Sequence, residues 1–196
     1  MSDTKLTIVF YSSTGTNLEM ARVAEEAAKG AGTEVRLRRC AETAPQKAID
    51  SKQEWKDTLE KMQDIPVVEP DDLTWADAIL FSVPTRFSAA PSQVQSFIDT
   101  LGPLWSDGSL AGKAVSAMTS TGTKHGGQET TLIGLYTMFM HWGAILVAPG
   151  YTGDVMFKLG NPYGASCMAG EVDETARDVI RHQTSRLLDV AGRLAG

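Results

Sequence analysis

The side chains best suited to chemistry lie in one short loop near the start of the chain. Residues 12–17 read Ser-Ser-Thr-Gly-Thr-Asn and follow an apolar run, residues 6–11, that predicts a buried parallel strand. Strong helix formers begin at Leu18. At such a strand–loop–helix junction, free backbone N–H groups, the positive end of the helix dipole and hydroxyl donors converge on one spot. The pattern indicates a site that binds a phosphate largely without formal positive charge.

The composition of this first loop (residues 12–17) excludes three classes of phosphate-handling protein. The loop lacks the lysine of a nucleotide-triphosphatase P-loop. It has one glycine where a dinucleotide-binding fingerprint needs three. It also lacks the acidic residues that a response regulator places after its first strand. A site for a phosphate monoester remains, and the alternative interpretation is a loop that only caps the following helix.

Strands and helices alternate along the rest of the chain. The predicted strands cover residues 6–11, 34–38, 78–83, 113–119 and 144–148. The predicted helices cover residues 18–28, 53–63, 91–101, 128–142 and 172–194. Residues 40–70 are expected to form a surface excursion, and residues 151–170 a long irregular segment. The alternation predicts a single α/β domain over residues 1–196, with a flavodoxin-like, doubly wound, five-stranded parallel sheet in the order 2-1-3-4-5.

In this topology a ligand lies outside the carboxyl ends of the strands, where the loops after strands one, three and four meet. The second loop (residues 84–88) offers backbone N–H groups and a charge at Thr85 and Arg86, and a flat apolar ring at Phe87. The third loop (residues 120–129) contains glycines that let a ring or another backbone approach closely. A phosphate on the first loop and a flat heterocycle between the other two describe FMN.

Composition limits the remaining classes of function. With 196 residues and 42% hydrophobic content, the chain can bury a sizeable core. A net charge of −6 gives no electrostatic reason to bind nucleic acid or an anionic membrane, and no apolar run reaches the length of a membrane span. Two cysteines, Cys40 and Cys167, make neither a disulfide framework nor a metal site. We therefore expect a reduced, cytoplasmic protein with no metal, no nucleic-acid partner and no membrane insertion.

Several candidate residues also have a plainer interpretation. Phe87 could pack in the core, and Arg86 could form an ordinary surface ion pair. Trp105 could simply be buried. His141, near the end of an apolar helix, could be a core or helix-terminal histidine. His125 is expected to be solvated rather than catalytic.

A series of separated motifs occurs in a fixed order along nearly the whole chain. They are Pro84-Thr85-Arg86-Phe87, Trp105, Ser120-Thr121-Gly122-Thr123, Gly126-Gly127-Gln128-Glu129, His141 and Asn161-Pro162-Tyr163-Gly164-Ala165. In combination they resemble the WrbA family, flavodoxin-like NAD(P)H:quinone oxidoreductases historically associated with the tryptophan repressor.

The resemblance implies FMN as cofactor, NADH or NADPH and quinones as substrates, and a homotetramer whose neighbouring subunits complete each site. It implies a catalytic histidine beside the flavin at His141 and a substrate-stacking tryptophan at Trp105, which would serve another chain's flavin. It implies substrate contact at Thr14. The residues implied for the cofactor are Ser12, Ser13, Thr14, Gly15, Thr16, Asn17, Thr85, Arg86, Phe87, Ser120, Thr121, Gly122, Thr123, Gly126, Gly127 and His141.

Two features depart from the family pattern. Thr14 stands where members carry a tyrosine near the nicotinamide-nucleotide site, which leaves the choice between NADH and NADPH open. The third loop is one residue longer, through Lys124 and His125.

The mechanism that the resemblance implies is ping-pong transfer of two electrons from NAD(P)H through FMN to a quinone. His141 would hydrogen-bond or protonate the quinone. One alternative is a flavodoxin-type electron carrier, although the excess of 24 acidic over 18 basic residues is modest for a protein that docks through a charged face. The other is a regulatory partner of a transcription repressor, and nothing basic in the chain supports contact with DNA.

Overall fold

The computed structural model describes residues 4–195, which form a parallel sheet covered by helices on both faces. The strands are β1 (Lys5–Phe10), β2 (Glu34–Arg39), β3 (Ala78–Pro84), β4 (Ala114–Thr121), β5 (Ile145–Leu146) and β6 (Ser166–Met168). The first five lie in the order β2-β1-β3-β4-β5, and every pair is parallel. The predicted α/β class and sheet order are confirmed.

The fifth position of the sheet is shared by two short strands. β5 pairs with the start of β4, and β6 pairs with the end of β4 from Thr119 onwards. Between β5 and β6 the chain leaves the sheet and forms a short helix. The strand predicted at residues 144–148 is therefore too long, and the segment predicted to be irregular, residues 151–170, contains a helix and a strand. A strand of three residues is too short to show an apolar periodicity.

Helices cover both faces because successive residues of a strand point to opposite sides. Leu6, Ile8 and Phe10 of β1 lie in the apolar cluster beneath α1 (Thr16–Gly30) and α9 (Glu174–Leu194). Val9 lies in the cluster beneath α5 (Ser92–Asp99) and α7 (Gln128–His141). No helix in the described part of the chain is both long and apolar enough to cross a membrane. The helices are α1 (Thr16–Gly30), α2 (Gln46–Asp50), α3 (Gln53–Lys61), α4 (Pro70–Trp75), α5 (Ser92–Asp99), α6 (Gly102–Ser106), α7 (Gln128–His141), α8 (Asp154–Leu159) and α9 (Glu174–Leu194).

Residues 40–70 contain more regular structure than the sequence pattern predicts. They carry α2 and α3 and lead into α4, and α3 ends two residues before the predicted helix end. Met62 and Ile65 are buried in the same apolar cluster as α1. The returning chain forms a parallel bridge between Val67 and Arg39 at the end of β2. The segment therefore packs on the body of the protein at the carboxyl end of β2, next to β1.

A buried amide on α9 joins β4 to the segment that leads into β6. Gln183 Nε2 donates to Ser116 Oγ at 2.7 Å and to the Ala117 carbonyl at 2.9 Å, and its Oε1 accepts from the Ala165 N–H at 2.7 Å. All of these partners are buried. Water cannot replace the amide as their hydrogen-bond partner if the amide is removed, so the edge of the sheet that β5 and β6 share depends on this one side chain.

We expect Gln183→Leu to lower the free energy of unfolding by about 2–4 kcal/mol, because it leaves buried donors and acceptors without partners. Urea denaturation followed by circular dichroism measures the change. Ser185→Ala, at an exposed position of the same helix, is the control and should stay within about 0.5 kcal/mol of the native protein. Equal stability of the two variants would remove this role from Gln183.

Candidate functional site

Three loops meet at the carboxyl edge of the sheet because β1, β3 and β4 are parallel neighbours that end together. The register pairs Phe10 with Ser82 and Pro84 with Ser120. The first, second and third loops line a common cavity of about 330 Å³, to which they contribute Ser13, Thr14, Pro84, Thr85, Arg86, Ser120, Thr121 and Gly122. The predicted convergence of these loops is confirmed.

The first loop presents the amino terminus of α1 without a side-chain cap. Gly15 is the N-cap residue and has a φ of 84°, a left-handed conformation that costs other residues about 1–2 kcal/mol. Ser12 and Ser13 are buried, and Thr14 is exposed at the cavity. The hydroxyl of Thr16 accepts a hydrogen bond from a backbone N–H of the segment after β6. Uncapped N–H groups at a helix amino terminus are suited to hold an anion.

The side chain of Asn17, at the start of α1, points into the fold and connects the first loop to β3 and β4. Its Oδ1 accepts from Ser120 Oγ at 2.6 Å, and its Nδ2 donates to Ser82 Oγ at 3.2 Å. Ser82 Oγ in turn donates to the Asn17 carbonyl at 3.0 Å. Both polar atoms of the Asn17 amide are therefore hydrogen-bonded within the protein, and the amide connects the first loop to the strands that precede the other two loops. A ligand would therefore contact Asn17 through its backbone N–H.

The guanidinium of Arg86 crosses from the second loop to the first. It donates to Ser13 Oγ at 2.9 Å and to the Thr85 carbonyl at 2.9 Å. The guanidinium therefore brings to the first loop a formal positive charge that the loop's own residues do not carry. The sequence could not reveal this contact, which joins residues 73 positions apart in the chain.

Phe87 lies fully exposed at the tip of the second loop, so its interpretation as a core residue is wrong. Phe87 and Ser88 both have positive φ values, 51° and 65°. Such backbone strain is rare for residues other than glycine and persists only where the surroundings impose it. Here a tight hairpin turn does so: the Arg86 N–H donates to the Ala89 carbonyl at 2.8 Å and the Ala89 N–H donates to the Arg86 carbonyl at 3.1 Å, and a two-residue turn of this kind takes positive φ at both central residues. The third loop packs on this turn, since Gly127 lies so close to Ser88 that a Cβ would overlap the Ser88 hydroxyl.

The third loop is folded by its own hydrogen bonds. Thr121 Oγ1 donates to the Thr123 carbonyl at 2.7 Å and accepts from Gln128 Nε2 at 3.0 Å. At Gly126 a Cβ would come within 2.9 Å of the Thr123 carbonyl. Side chains at this glycine and at Gly127 are therefore excluded by close backbone packing.

His141 and Trp105 lie away from these loops within one chain. The amino terminus of α7 is at the site and His141 is its last residue, so 14 residues at 1.5 Å each place it about 20 Å away. Both residues are exposed, and Trp105 Nε1 donates to the His141 carbonyl at 2.9 Å. They line a separate surface cleft with Leu101 and Trp142. The chain does not bring His141 to the cavity that its own loops form.

The sequence analysis missed four residues that line the cavity. They are Lys52, Glu54 and Trp55 at the start of α3, and Ala169 after β6. The sheet order could have indicated Lys52, Glu54 and Trp55, since β2 also ends at this edge beside β1 and the chain that follows β2 starts there. The sequence pattern assigned Trp55 only to the predicted helix over residues 53–63.

Both cysteines are buried free thiols. Burial raises the pKa of Cys40 and of Cys167 to about 12, so neither forms the reactive thiolate at neutral pH. The expectation that they take no part in the chemistry fits this environment.

The sheet order and the loop-edge site define a flavodoxin-like α/β protein. Among solved structures, a flavodoxin, WrbA-like protein from Agrobacterium tumefaciens superposes with a TM-score of 0.70 at 19% identity, covering 97% of this chain and 98% of that one. A flavodoxin from the domain Archaea superposes with a TM-score of 0.61 at 16% identity, covering 98% and 99%. These similarities concern the fold.

Sequence comparison identifies the family. The model of the NADPH-dependent FMN reductase family matches residues 6–155. The chain is 55% identical to an NAD(P)H dehydrogenase (quinone) of Deinococcus radiodurans, covering 98% of both chains, and 38% identical to one of Geotalea uraniireducens, covering 97% and 99%. The chain belongs to the NADPH-dependent FMN reductase family. Its relatives carry the activity that the resemblance to WrbA proteins implies.

We expect Asn17→Ala to lower the free energy of unfolding by about 1–3 kcal/mol, since the buried Ser120 hydroxyl loses its acceptor. Ser120→Ala in the same background should add little, so a double-mutant cycle by urea denaturation should give a coupling of about 1 kcal/mol. Thr14→Ala, an exposed change in the same loop, is the stability control. If Asn17→Ala and Ser120→Ala lowered the free energy of unfolding additively, the result would contradict an energetic coupling between the two side chains.

Proposed function

We propose that the protein is an FMN-dependent NAD(P)H:quinone oxidoreductase. The observation that carries the proposal is the cavity in which the uncapped amino terminus of α1, the Arg86 guanidinium and a strained aromatic loop lie together. Its support from relatives is the 55% identity to an NAD(P)H dehydrogenase (quinone) over nearly the whole of both chains.

The residues of the first loop fit the phosphate of FMN. The N–H groups that follow Gly15 and the hydroxyls of Ser12, Ser13 and Thr16 supply donors. Arg86 adds a charge-assisted donor at the same place. A cavity of about 330 Å³ lies at the lower end of the size range of cofactor sites. The chain therefore holds an anion and a small planar ligand without rearrangement of its core.

The second and third loops fit the ring of FMN. Phe87 presents an exposed aromatic face. Gly126 lets the third loop fold tightly on itself, and Gly127 lets it close against the second loop. Thr85, Ser120, Thr121, Gly122 and Thr123 place polar groups along the floor and rim of the cleft. When bound, FMN supplies the hydride chemistry, and these residues orient the ring and limit its access to water.

The second half of the site comes from a neighbouring subunit. Trp105 and His141 lie about 20 Å from the loops of their own chain, and around them the surface exposes the apolar side chains of Met140 and Ile145. Such a face is suited to contact with another copy of the chain, here in a homotetramer. There Trp105 stacks on the quinone, and His141 donates a hydrogen bond or a proton to its oxygen.

Thr14 lies exposed at the mouth of the cavity and contacts the nicotinamide nucleotide. NAD(P)H and the quinone bind in turn at the same open face, which corresponds to ping-pong kinetics. The free cysteines fit a cytoplasmic location. The net charge of −6 fits small-molecule substrates rather than nucleic acid.

The proposed activity is tested by an anaerobic titration of the purified protein with FMN added. Stepwise NADH should bleach the visible absorbance of the bound flavin completely, and benzoquinone should restore it. Initial rates with both substrates varied should give parallel double-reciprocal lines. Flavin that binds but ignores both NADH and NADPH would identify an electron carrier instead, and a protein that binds no FMN would overturn the proposal.

The shared site is tested by mixing subunits. Arg86→Ala alters the loops that hold FMN, and Trp105→Ala alters the part of the site that a neighbouring subunit supplies. Each variant alone should lose most of its quinone turnover. Mixed oligomers made by co-expression should regain about a quarter of native turnover, because random pairing joins an intact cradle with an intact Trp105 in that fraction of sites. Sedimentation velocity gives the assembly state. A monomer, or mixed oligomers without recovery, would refute a shared site.

A further inference from the structure

The start of α3 forms a wall of the cavity that neither the family match nor the sequence motifs assign. Lys52 and Trp55 line the cavity together with Ser13 and Thr14 of the first loop. α3 lies over this loop: Thr58 Oγ1 is 3.8 Å from the position that a Cβ on Gly15 would occupy. The wall therefore faces the end of the cavity where the uncapped amino terminus of α1 lies.

The indole of Trp55 is held in place by the carboxylate of Glu42. Trp55 Nε1 donates to Glu42 Oε2 at 3.0 Å, and the Tyr11 hydroxyl donates to the same oxygen at 2.9 Å. Gln93 Nε2 donates to Oε1 at 2.7 Å, as do the N–H groups of residues 43 and 44 at 2.9 Å. A carboxylate with so many donors is fixed, and it fixes the ring that donates to it.

The environment keeps Glu42 in its ionised form. Burial by itself would raise the pKa of the Glu42 carboxyl, but the hydrogen bonds from the Ala44 N–H, Gln93, Tyr11 and Trp55 outweigh it and hold the pKa below its usual value. Burial, followed by the charge of Glu42, raises the pKa of Tyr11, which therefore keeps its proton and remains a donor. The arrangement around Trp55 is thus constant at neutral pH.

The charges at the cavity favour an anion although the chain as a whole is acidic. Two of the three charged residues that line it, Lys52 and Arg86, are cations, in a chain of net charge −6. The ionised Glu42 lies behind the Trp55 ring, bonded to its Nε1. The Arg86 guanidinium lies against Ser13 of the first loop, and Lys52 lines the same cavity from the start of α3. An indole ring beside them replaces water with an apolar surface, which strengthens the attraction of both cations for an anion.

We infer that Lys52 and Trp55 bind the phosphate end of FMN, and that Glu42 is the positioning residue that orients Trp55. The inference rests on the proposed function, because it names further residues of the same FMN site. Lys52 supplies a second cation to the phosphate, Trp55 shields the phosphate from water, and Glu42 acts only through Trp55.

The test compares FMN with riboflavin, which lacks the phosphate, by titrating each into the flavin-free protein and following flavin fluorescence. Lys52→Gln should weaken FMN binding about fivefold, as expected for a partly exposed charge-assisted contact, and leave riboflavin binding unchanged. Lys61→Gln, at the far end of α3, is the matched control and should change neither. Equal FMN affinity of the Lys52→Gln variant and the native protein would overturn the role of Lys52.

Trp55→Ala should weaken FMN about tenfold and riboflavin less than twofold, whereas Trp75→Ala, at the half-buried tryptophan that stacks on Arg36, should change neither affinity. Equal losses for FMN and riboflavin in Trp55→Ala would show a general structural effect and overturn the phosphate-end assignment. Circular dichroism and thermal unfolding of each variant verify that it is folded.

The role of Glu42 is tested by a double-mutant cycle. Glu42→Gln should weaken FMN about fivefold in the native background and less than twofold in the Trp55→Ala background, because its effect passes through Trp55. If Glu42→Gln weakened FMN binding by the same factor in both backgrounds, Glu42 would have a structural role that does not pass through Trp55. If the native protein binds no FMN, the proposed function itself fails. If it binds FMN and none of the three variants weakens binding, only this inference fails.

Discussion

The carboxamide of Asn17 is the contact on which the site depends. It joins the first loop, at the start of α1, to Ser82 on β3 and to Ser120 on β4 through buried hydrogen bonds. Because the first loop is held to both strands at their carboxyl ends, the three loops start from fixed positions. The open amino terminus of α1, the Arg86 guanidinium and the glycines of the third loop can then share one cavity.

Cationic groups are concentrated in the cavity lining at this edge although the protein as a whole is acidic. The chain carries a net charge of −6, yet the cavity combines a helix amino terminus with two cationic side chains and one carboxylate. The net charge of the whole chain determines its attraction to large polyanions, whereas the binding of a single phosphate depends on groups within a few ångströms of it. An acidic protein can therefore hold an anionic cofactor.

The length of α7 separates two sets of functional side chains. The third loop leads into its amino terminus at the cavity, while His141 ends it on another surface, where the Trp105 indole N–H binds the His141 carbonyl. A rigid helix cannot bring its two ends together. In the proposed reaction, the use of both sets would require a second copy of the chain.

The sequence by itself determined the α/β class, the sheet order and the loops that form the site. Continuous apolar runs alternating with helical patterns admit few topologies, and the first loop shows its anion-binding character in six adjacent residues. Such features depend on neighbours along the chain, which a sequence displays directly.

Only the tertiary structure decided how side chains from distant segments meet. It divided the fifth strand position between β5 and β6, turned the Asn17 amide inward, brought Arg86 onto Ser13 and placed Lys52 and Trp55 on the cavity wall. It also exposed Phe87 and set His141 apart from the loops. These contacts depend on side-chain direction and on packing between segments far apart in the chain, and neither leaves a periodic pattern in the sequence.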